Sequence, residues 1–286
     1  VNGDSGFYLK KKKLDFDVFL NSCHGGPGED GTLQSLLEIL RVKYTGPKVV
    51  SAQICMDKYV FYTTMKENGL PVLYKNLVDS KEKVTFEGPY ILKPRFGGSS
   101  IGVEVVNDYE SVLKIIESSD LYAQGAVIEK YLENSEDILI GVKNFPSFNV
   151  SEIEKPIKND TLFSYSEKYL ENGGLEGSER ELPANIDEDK KNKIISYVKK
   201  INSIIPTRGI FRYDFLLDNE DIYINEINAI PGSHALYLWQ NLNKSKYELL
   251  NDIVDESLSE ELNTWTTTGS DGLALKSAKD IQSKLG

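Results

Sequence analysis

Leu33, Leu36, Leu37 and Leu40 recur at i, i+3, i+4 and i+7, the spacing of one apolar face of a helix. Asp30-Gly31-Thr32 marks where that helix starts. A second helix is predicted over Met56–Asn68, stopped by Gly69 with Pro71 just beyond. A third falls on Tyr109–Ser118. A fourth falls on Asp187–Ile205, with Ile194, Ile195, Val198, Ile201 and Ile205 along one side, and an amphipathic fifth on Ser245–Leu262. Shorter apolar runs read as strands: Asp17–Asn21, Tyr90–Leu92, Gly102–Val106, Ala126–Tyr131 and Ile138–Lys143. Ile210–Leu217 and Asp221–Ile227 predict a hairpin across Asp218-Asn219-Glu220. Asn159–Ser178 is polar, aromatic and punctuated by glycine, so it reads as a loop. After Thr264 the chain shows only a weak helical pattern near Ala274–Leu285. Helices and strands mix along the whole chain, which predicts an α/β (α+β) protein. Three units are expected: an N-terminal one over residues 1–48, a central one over 49–125 and a C-terminal one over 126–286 that carries the loop 159–178. No internal repeat and no long linker interrupts them.

Composition narrows the picture. The chain has 286 residues, 40% hydrophobic and 27% charged, enough for a sizeable core in two or three subdomains. Its formal net charge of −11 makes it a poor partner for a nucleic-acid backbone, which calls for a basic footprint. Anionic small molecules remain open, since a phosphate site needs only a few local donors. No apolar run approaches the ~20 residues of a membrane span, and the N-terminus has no apolar signal core. Cys23 and Cys55 are the two cysteines, a count that fits two free thiols in a reducing, cytoplasmic setting. The basic run Lys10–Lys13 reads as solvated surface.

Three segments carry candidate chemistry. On the predicted hairpin, Arg212 and Asp214 stand at i and i+2 on one strand and share a face. Glu226 and Asn228 do so on the next. Phe211, Tyr213, Phe215, Ile224 and Ile227 are the apolar residues between them. One face therefore gathers a cation, two carboxylates and an amide. Their oxygens are hard ligands suited to Mg²⁺, which typically takes one or two carboxylates plus substrate phosphates. Left without a ligand, the same face is an ordinary charged strand surface with weak ion pairs. The second segment runs from Ile91 to Gly102. Lys93 at a strand end is followed by Gly97-Gly98-Ser99-Ser100, a point charge with unobstructed backbone N–H groups that can cradle phosphate oxygens. No G-x-x-x-x-G-K-[ST] occurs in the chain, and no G-x-G-x-x-G follows a strand, so neither a P-loop nor a dinucleotide fingerprint is present. The third segment is Val127–Leu132 with Glu136 shortly after. Its carboxylates Glu129 and Glu136 can reach an adenine amino group and ribose hydroxyls, or can be plain strand-edge charges.

Taken in order, three sets of residues resemble one family. They are His24-Gly25-Gly26-Pro27-Gly28-Glu29-Asp30-Gly31-Thr32-Leu33-Gln34 with Ser51-Ala52 and Met56-Asp57-Lys58; Lys93-Pro94 with Gly98–Val103; and Asn225–Asn228 with Pro231-Gly232. The family is that of the D-alanine–D-alanine ligases, within the ATP-grasp superfamily, and the resemblance runs from about Asp17 to Leu262. It implies an ATP-grasp fold with a partial N-terminal α/β domain and two α+β subdomains enclosing ATP. It implies ATP and Mg²⁺ (with Mn²⁺ as a possible substitute) as cofactors, amino acids as substrates, a role in peptidoglycan synthesis and a possible homodimer. By that resemblance Lys58, Lys93 and Ser100 contact the phosphates. Glu129, Lys130, Tyr131 and Leu132 form the strand that holds adenine, and Glu136 holds the ribose. Asp214, Glu226 and Asn228 ligate the metal, Arg212 stands beside the transferred phosphate, and the Gly232 backbone N–H builds an oxyanion hole. Lys168 and Tyr169 in Ser166-Glu167-Lys168-Tyr169 match a lid, with Ser99 meeting Tyr169 when it closes. His24 and Glu29 lie in the first-substrate region.

The sequence departs from the family pattern twice. The family begins with a further strand, Gly-rich loop and helix, and Val1–Lys13 are too few to supply them; either this sequence is part of a longer chain or the first-substrate site is rebuilt. After the metal ligands, Ser233-His234-Ala235-Leu236-Tyr237-Leu238-Trp239 replaces the family's run. Tyr237 stands where a serine holds the second substrate, while Leu238 keeps the leucine beside it. The expected reaction is therefore ligation of two D-alanines through an acyl phosphate. A related ligase joining another amino or hydroxy acid, or a non-catalytic nucleotide-binding protein, are the alternatives.

Overall fold

A computed structural model describes residues 7–78, 84–157 and 179–261. The expected lid 159–178, with Lys168 and Tyr169, and the tail after Thr264 lie outside the described residues.

The chain opens in a small hairpin of β1 (Tyr8–Leu9) and β2 (Lys12–Lys13), with Lys10–Lys13 exposed as expected. The predicted strand Asp17–Asn21 forms only one parallel bridge, Phe19 with Tyr44. Its backbone finds few partners: the Phe19 N–H donates to the Lys43 carbonyl (2.8 Å), and its carbonyl accepts from Thr45 (3.0 Å). The leucine stripe forms α1 (Thr32–Ile39), but the stripe is not the buried face throughout. Leu37 is wholly buried while Leu36 is 47% exposed. Gln34 is buried instead, because its amide donates to the Gly28 carbonyl at 2.8 Å and closes the Gly-rich loop against the helix.

The helix predicted over Met56–Asn68 forms as α3 (Lys58–Glu67), and a helix that was not predicted, α2 (Val49–Met56), precedes it. Asp57 between them is extended, and its carboxylate accepts from the Tyr59 and Val60 amides (3.0 and 3.2 Å). That caps α3 and leaves no room for a continuous rod. A four-stranded antiparallel sheet follows, ordered β3-β6-β4-β5. Its strands are β3 (Lys75–Leu77), β4 (Tyr90–Pro94), β5 (Glu104–Val106) and β6 (Ala126–Lys130), with α4 (Tyr109–Ser118) between the last two in sequence. Leu92, Val106, Ala126 and Ile128 pack beneath Val112 of α4.

A five-stranded antiparallel sheet holds the rest, ordered β11-β10-β7-β8-β9. Its strands are β7 (Glu136–Lys143), β8 (Asn149–Pro156), β9 (Arg180–Glu181), β10 (Ile210–Asp218) and β11 (Asp221–Asn228). The helix α5 (Glu188–Ile204) presents Ile194, Val198 and Ile201 to Ile138, Ile140, Phe211, Tyr213 and Phe215, and Phe61 and Met65 of α3 join that core. The strands β3 and β8 were not among those predicted. Both sheets are antiparallel, so the only parallel pairing among the described residues is the Phe19–Tyr44 bridge.

After β11 comes a tight 3₁₀ segment, Gly232–Leu238, in which Ser233, His234 and Ala235 take left-handed φ of 49°, 52° and 49°. The helix α6 (Lys246–Ser259), opened by a capping box from Ser245 and Glu248, packs Leu249 and Ile253 onto Ala235, Leu238 and Trp239. Buried Arg208 ties the ends together. Its guanidinium lies 4.5 Å from the Tyr44 ring centre, donates to the Gly46 carbonyl (2.9 Å) and pairs with Glu260 (2.9 Å).

Candidate active site

The β10–β11 hairpin sorts its side chains by face. Arg212 is opposite Asn228 and Asp214 is opposite Glu226. Tyr213 is opposite Ile227 and Phe215 is opposite Ile224, all buried. Simple alternation would put Ile224 and Glu226 on one side. They lie on opposite sides because the register shifts between Asp214 and Phe215. Asn225 is the extra residue, and this bulge turns the end of β11 over.

Arg212 grips Asp214 with two bonds, Nε to Oδ1 (2.8 Å) and Nη2 to Oδ2 (2.7 Å). Asn228 Nδ2 adds a third at 3.0 Å to Oδ2. Burial works against the guanidinium's charge, but Asp214 outweighs it and raises the Arg212 pKa above its usual value. Asp214, Glu226 and Asn228 together present two carboxylates and an amide. This set can hold a hard divalent cation whose shell is completed by ligand oxygens. Among the described residues no group of three or more histidine, cysteine, aspartate or glutamate side chains is placed to hold a metal by itself.

Across from the hairpin stands the β4 end and its loop. Asp57, besides capping α3, takes a bidentate salt bridge from Arg95 (2.7–3.0 Å), which fixes the loop to the helix start. Lys58 in the first turn of α3 donates to the Gly97 carbonyl at 2.5 Å. Burial lowers its pKa, opposed by Glu226 and Asp57. Gly97 has φ of 109°, a conformation that a side chain resists. Ser99 and Ser100 follow with φ of 56° and 57°. Lys93 reaches Asn225 Oδ1 at 3.3 Å and pairs with Glu129. Glu29, Lys58, Gly97, Gly98, Glu226 and Asn228 all line one solvent-open cleft enclosing about 410 Å³. In that cleft Glu29 accepts from the Gly25 amide (2.6 Å), and burial raises its pKa. His24 Nδ1 donates to the Ile230 carbonyl (2.9 Å).

The remaining predicted residues spread outward. Lys130 is exposed, the Tyr131 amide donates to the Pro89 carbonyl (3.0 Å), and the Leu132 carbonyl accepts from Ser135 (Oγ, 3.1 Å). Glu136 pairs with Lys155 at 2.9 Å. Gly232 opens the 3₁₀ segment. Tyr237 donates to Glu154 at 2.7 Å, and the Arg180 guanidinium sits 4.9 Å from its ring centre. Leu238 is fully buried among Ala235, Trp239 and Leu249, so its side chain belongs to the core rather than to the cleft. Both cysteines are free, Cys23 exposed and Cys55 half-buried. Among the described residues no helix is long and apolar enough to cross a membrane.

Sequence reasoning missed Lys75, Asn225, Glu154 and Arg180. Lys75, Glu154 and Arg180 lie on strands that were not predicted (β3, β8 and β9), so their cross-strand partners were not in view. Asn225 had a signal, the broken alternation at Ile224–Glu226.

A family model described as D-ala D-ala ligase C-terminus matches residues 52–258, and one described as D-ala D-ala ligase N-terminus matches residues 2–47. The chain belongs to the D-alanine–D-alanine ligase family. It is 38% identical over 239 residues to a D-alanine–D-alanine ligase of Thermosipho africanus, an alignment that takes in 80% of this chain and 65% of that relative. The chain thus spans a little under two thirds of that relative's length. A crystal structure of the D-alanine–D-alanine ligase from Helicobacter pylori superposes with a TM-score of 0.69 at 26% identity, over 88% of this chain and 73% of that one. The ligase from Bacillus anthracis complexed with ATP superposes with a TM-score of 0.66 at 22% identity, over 85% and 79%. The two antiparallel sheets and their flanking helices are the ATP-grasp fold of this family, and the family is one of ATP-dependent ligases acting on small molecules.

Proposed function

We propose that the chain joins two D-alanine molecules with ATP and Mg²⁺ through an acyl phosphate, for peptidoglycan precursor synthesis. The observation that carries this is the opposition across one cleft of Glu226 and Asn228, with Asp214 paired to Glu226 in the hairpin, to Lys58 and Gly97–Gly98. Bound Mg²⁺ would neutralise and orient the phosphates. Lys58, Lys93 and the loop amides hold the phosphate tail, and the Asp214-pinned Arg212 lies where charge shifts during transfer. Phosphoryl transfer asks for such positioning and charge rather than a protein nucleophile. Glu29 and His24 face the first substrate's ammonium end. The Gly232 N–H is assigned to the developing oxyanion, and Tyr237 to the acceptor side. Adenine falls along Glu129–Leu132, and the ribose beside Glu136. Lys168, Tyr169 and Ser99 are assigned to lid closure, which excludes water from the acyl phosphate. In this reading the chain divides near residues 48 and 125, and it acts in the cytoplasm, with a homodimer as its assembled form.

A second reading, a ligase taking a different amino or hydroxy acid as acceptor, is favoured by Tyr237 and its ties to Glu154 and Arg180. ADP release measured with ATP, Mg²⁺ and a panel of D- and L-amino and hydroxy acids decides. D-alanine-dependent turnover giving the dipeptide is the expected result. Turnover with another acceptor alone selects the second reading, and none with any acid contradicts both.

A further inference from the structure

Nothing in the proposed reaction uses Lys75. It stands on β3 directly opposite Glu129 on β6, and it is 4% exposed. Glu129 is buried too, and both of its oxygens are engaged: Oε2 accepts from Lys75, and Oε1 pairs with Lys93. Two ammonium groups therefore share one carboxylate in the interior. Burial lowers the Lys75 pKa well below its usual value, and neighbouring Lys93 and Lys58 push the same way. Such an excess of buried positive charge is costly, and an arriving anion relieves it.

The two lysines differ in where they can turn. The Lys75 side chain is 3% exposed and the Lys93 side chain 12%. Lys93 also reaches across to Asn225 on the neighbouring sheet, beside the cleft. Lys75 is enclosed behind Glu129. If Lys93 left Glu129 for a phosphate without Lys75 in place, a buried carboxylate would lose its partner, at a cost that opposes binding.

We propose that Lys75 is a positioning residue for polyphosphate binding: it neutralises Glu129 from behind, so that Lys93 exchanges the carboxylate for a ligand phosphate. The inference rests on the nucleotide reading above and deepens it.

The test is direct binding, with the full chain, Mg²⁺ and no amino acid substrate. ATP, inorganic triphosphate and adenosine are titrated into the unsubstituted chain, K75M, K75R and the double variant K75M/E129Q. K75M is expected to weaken ATP and triphosphate about tenfold or more, with adenosine little changed. K75R keeps the charge and stays near the unsubstituted chain. K75M/E129Q regains most of the triphosphate affinity, because no carboxylate then competes for Lys93. Equal triphosphate binding by K75M overturns the proposal. So does a loss shared equally by adenosine, which marks damage to the sheet, and so does a double variant no better than K75M. Binding of neither ATP nor triphosphate by the unsubstituted chain overturns the nucleotide reading itself, and that failure shows before any variant is compared.

Discussion

The β10–β11 hairpin and the β3–β6–β4 strands both place charge beside the cleft, and they do it in opposite ways. The hairpin keeps its ionic groups on one face. Arg212 and Asp214 neutralise each other within a single strand, and the other face is uncharged and buried, its one polar group, the Tyr213 hydroxyl, bonded to Thr207. The lysine strands carry charge into the interior. There Glu129 is compensated only across strands, by Lys75 on one side and Lys93 on the other. In the hairpin, folding and chemistry are therefore separable. Among the lysines they are the same interactions.

Three substitutions test that contrast. Phe215→Ala strikes the apolar face of the hairpin, where Phe215 is fully buried against Ile138 and Ile224. It is expected to cost about 3–5 kcal/mol of stability, read by urea denaturation; a loss under about 1 kcal/mol would mean that the site is not built on this core. Glu129→Gln leaves two buried ammonium groups facing a neutral amide. A loss of about 3 kcal/mol is expected, shrinking when ATP and Mg²⁺ are added because phosphate replaces the missing anion. An unchanged melting temperature would show that the lysine strands separate folding from charge just as the hairpin does. Glu226→Gln removes a carboxylate from the cleft face of the hairpin. Turnover should fall on the order of 10²–10³-fold while stability moves by less than about 1 kcal/mol. Retained turnover takes Glu226 out of the metal set.

The same contrast explains what could be read from the chain. Arg212, Asp214, Glu226 and Asn228 were legible because i, i+2 spacing reports a shared strand face whatever the strand pairs with. The helix over 188–204 was legible from the isoleucines and valine along one side, and that over 109–118 was read at its full length; the structure adds the capping aspartates Asp108 and Asp187. The short strand β3 has only three residues, too few for alternation to register. Lys75 there looked like any surface lysine until β6 was laid beside it. The helix α2 went unread before the predicted helix start at Met56; the Asp57 carboxylate, capping α3 and clamped by Arg95, is what separates the two. Tyr237 was visible as a departure from the family pattern. Its bond to Glu154 was not, since it joins residues 83 positions apart.

The bulge at Asn225 makes the site depend on a count as well as on identities. Upstream of it, even-numbered residues of β11 such as Ile222 and Ile224 point inward; downstream, Glu226 and Asn228 do the opposite. Were β11 to run straight through this point with all its residues, Glu226 and Asn228 would be driven into the hydrocarbon interior and Ile227 turned out toward the cleft. Asn225 is the residue that absorbs the mismatch: removing it together with the bulge would restore plain alternation and leave Glu226, Ile227 and Asn228 on their present faces. What that deletion would cost is the bond from Lys93 to Asn225. For this family member, the bulge carries the sorting of faces, and the Asn225 side chain carries the tie to the facing sheet.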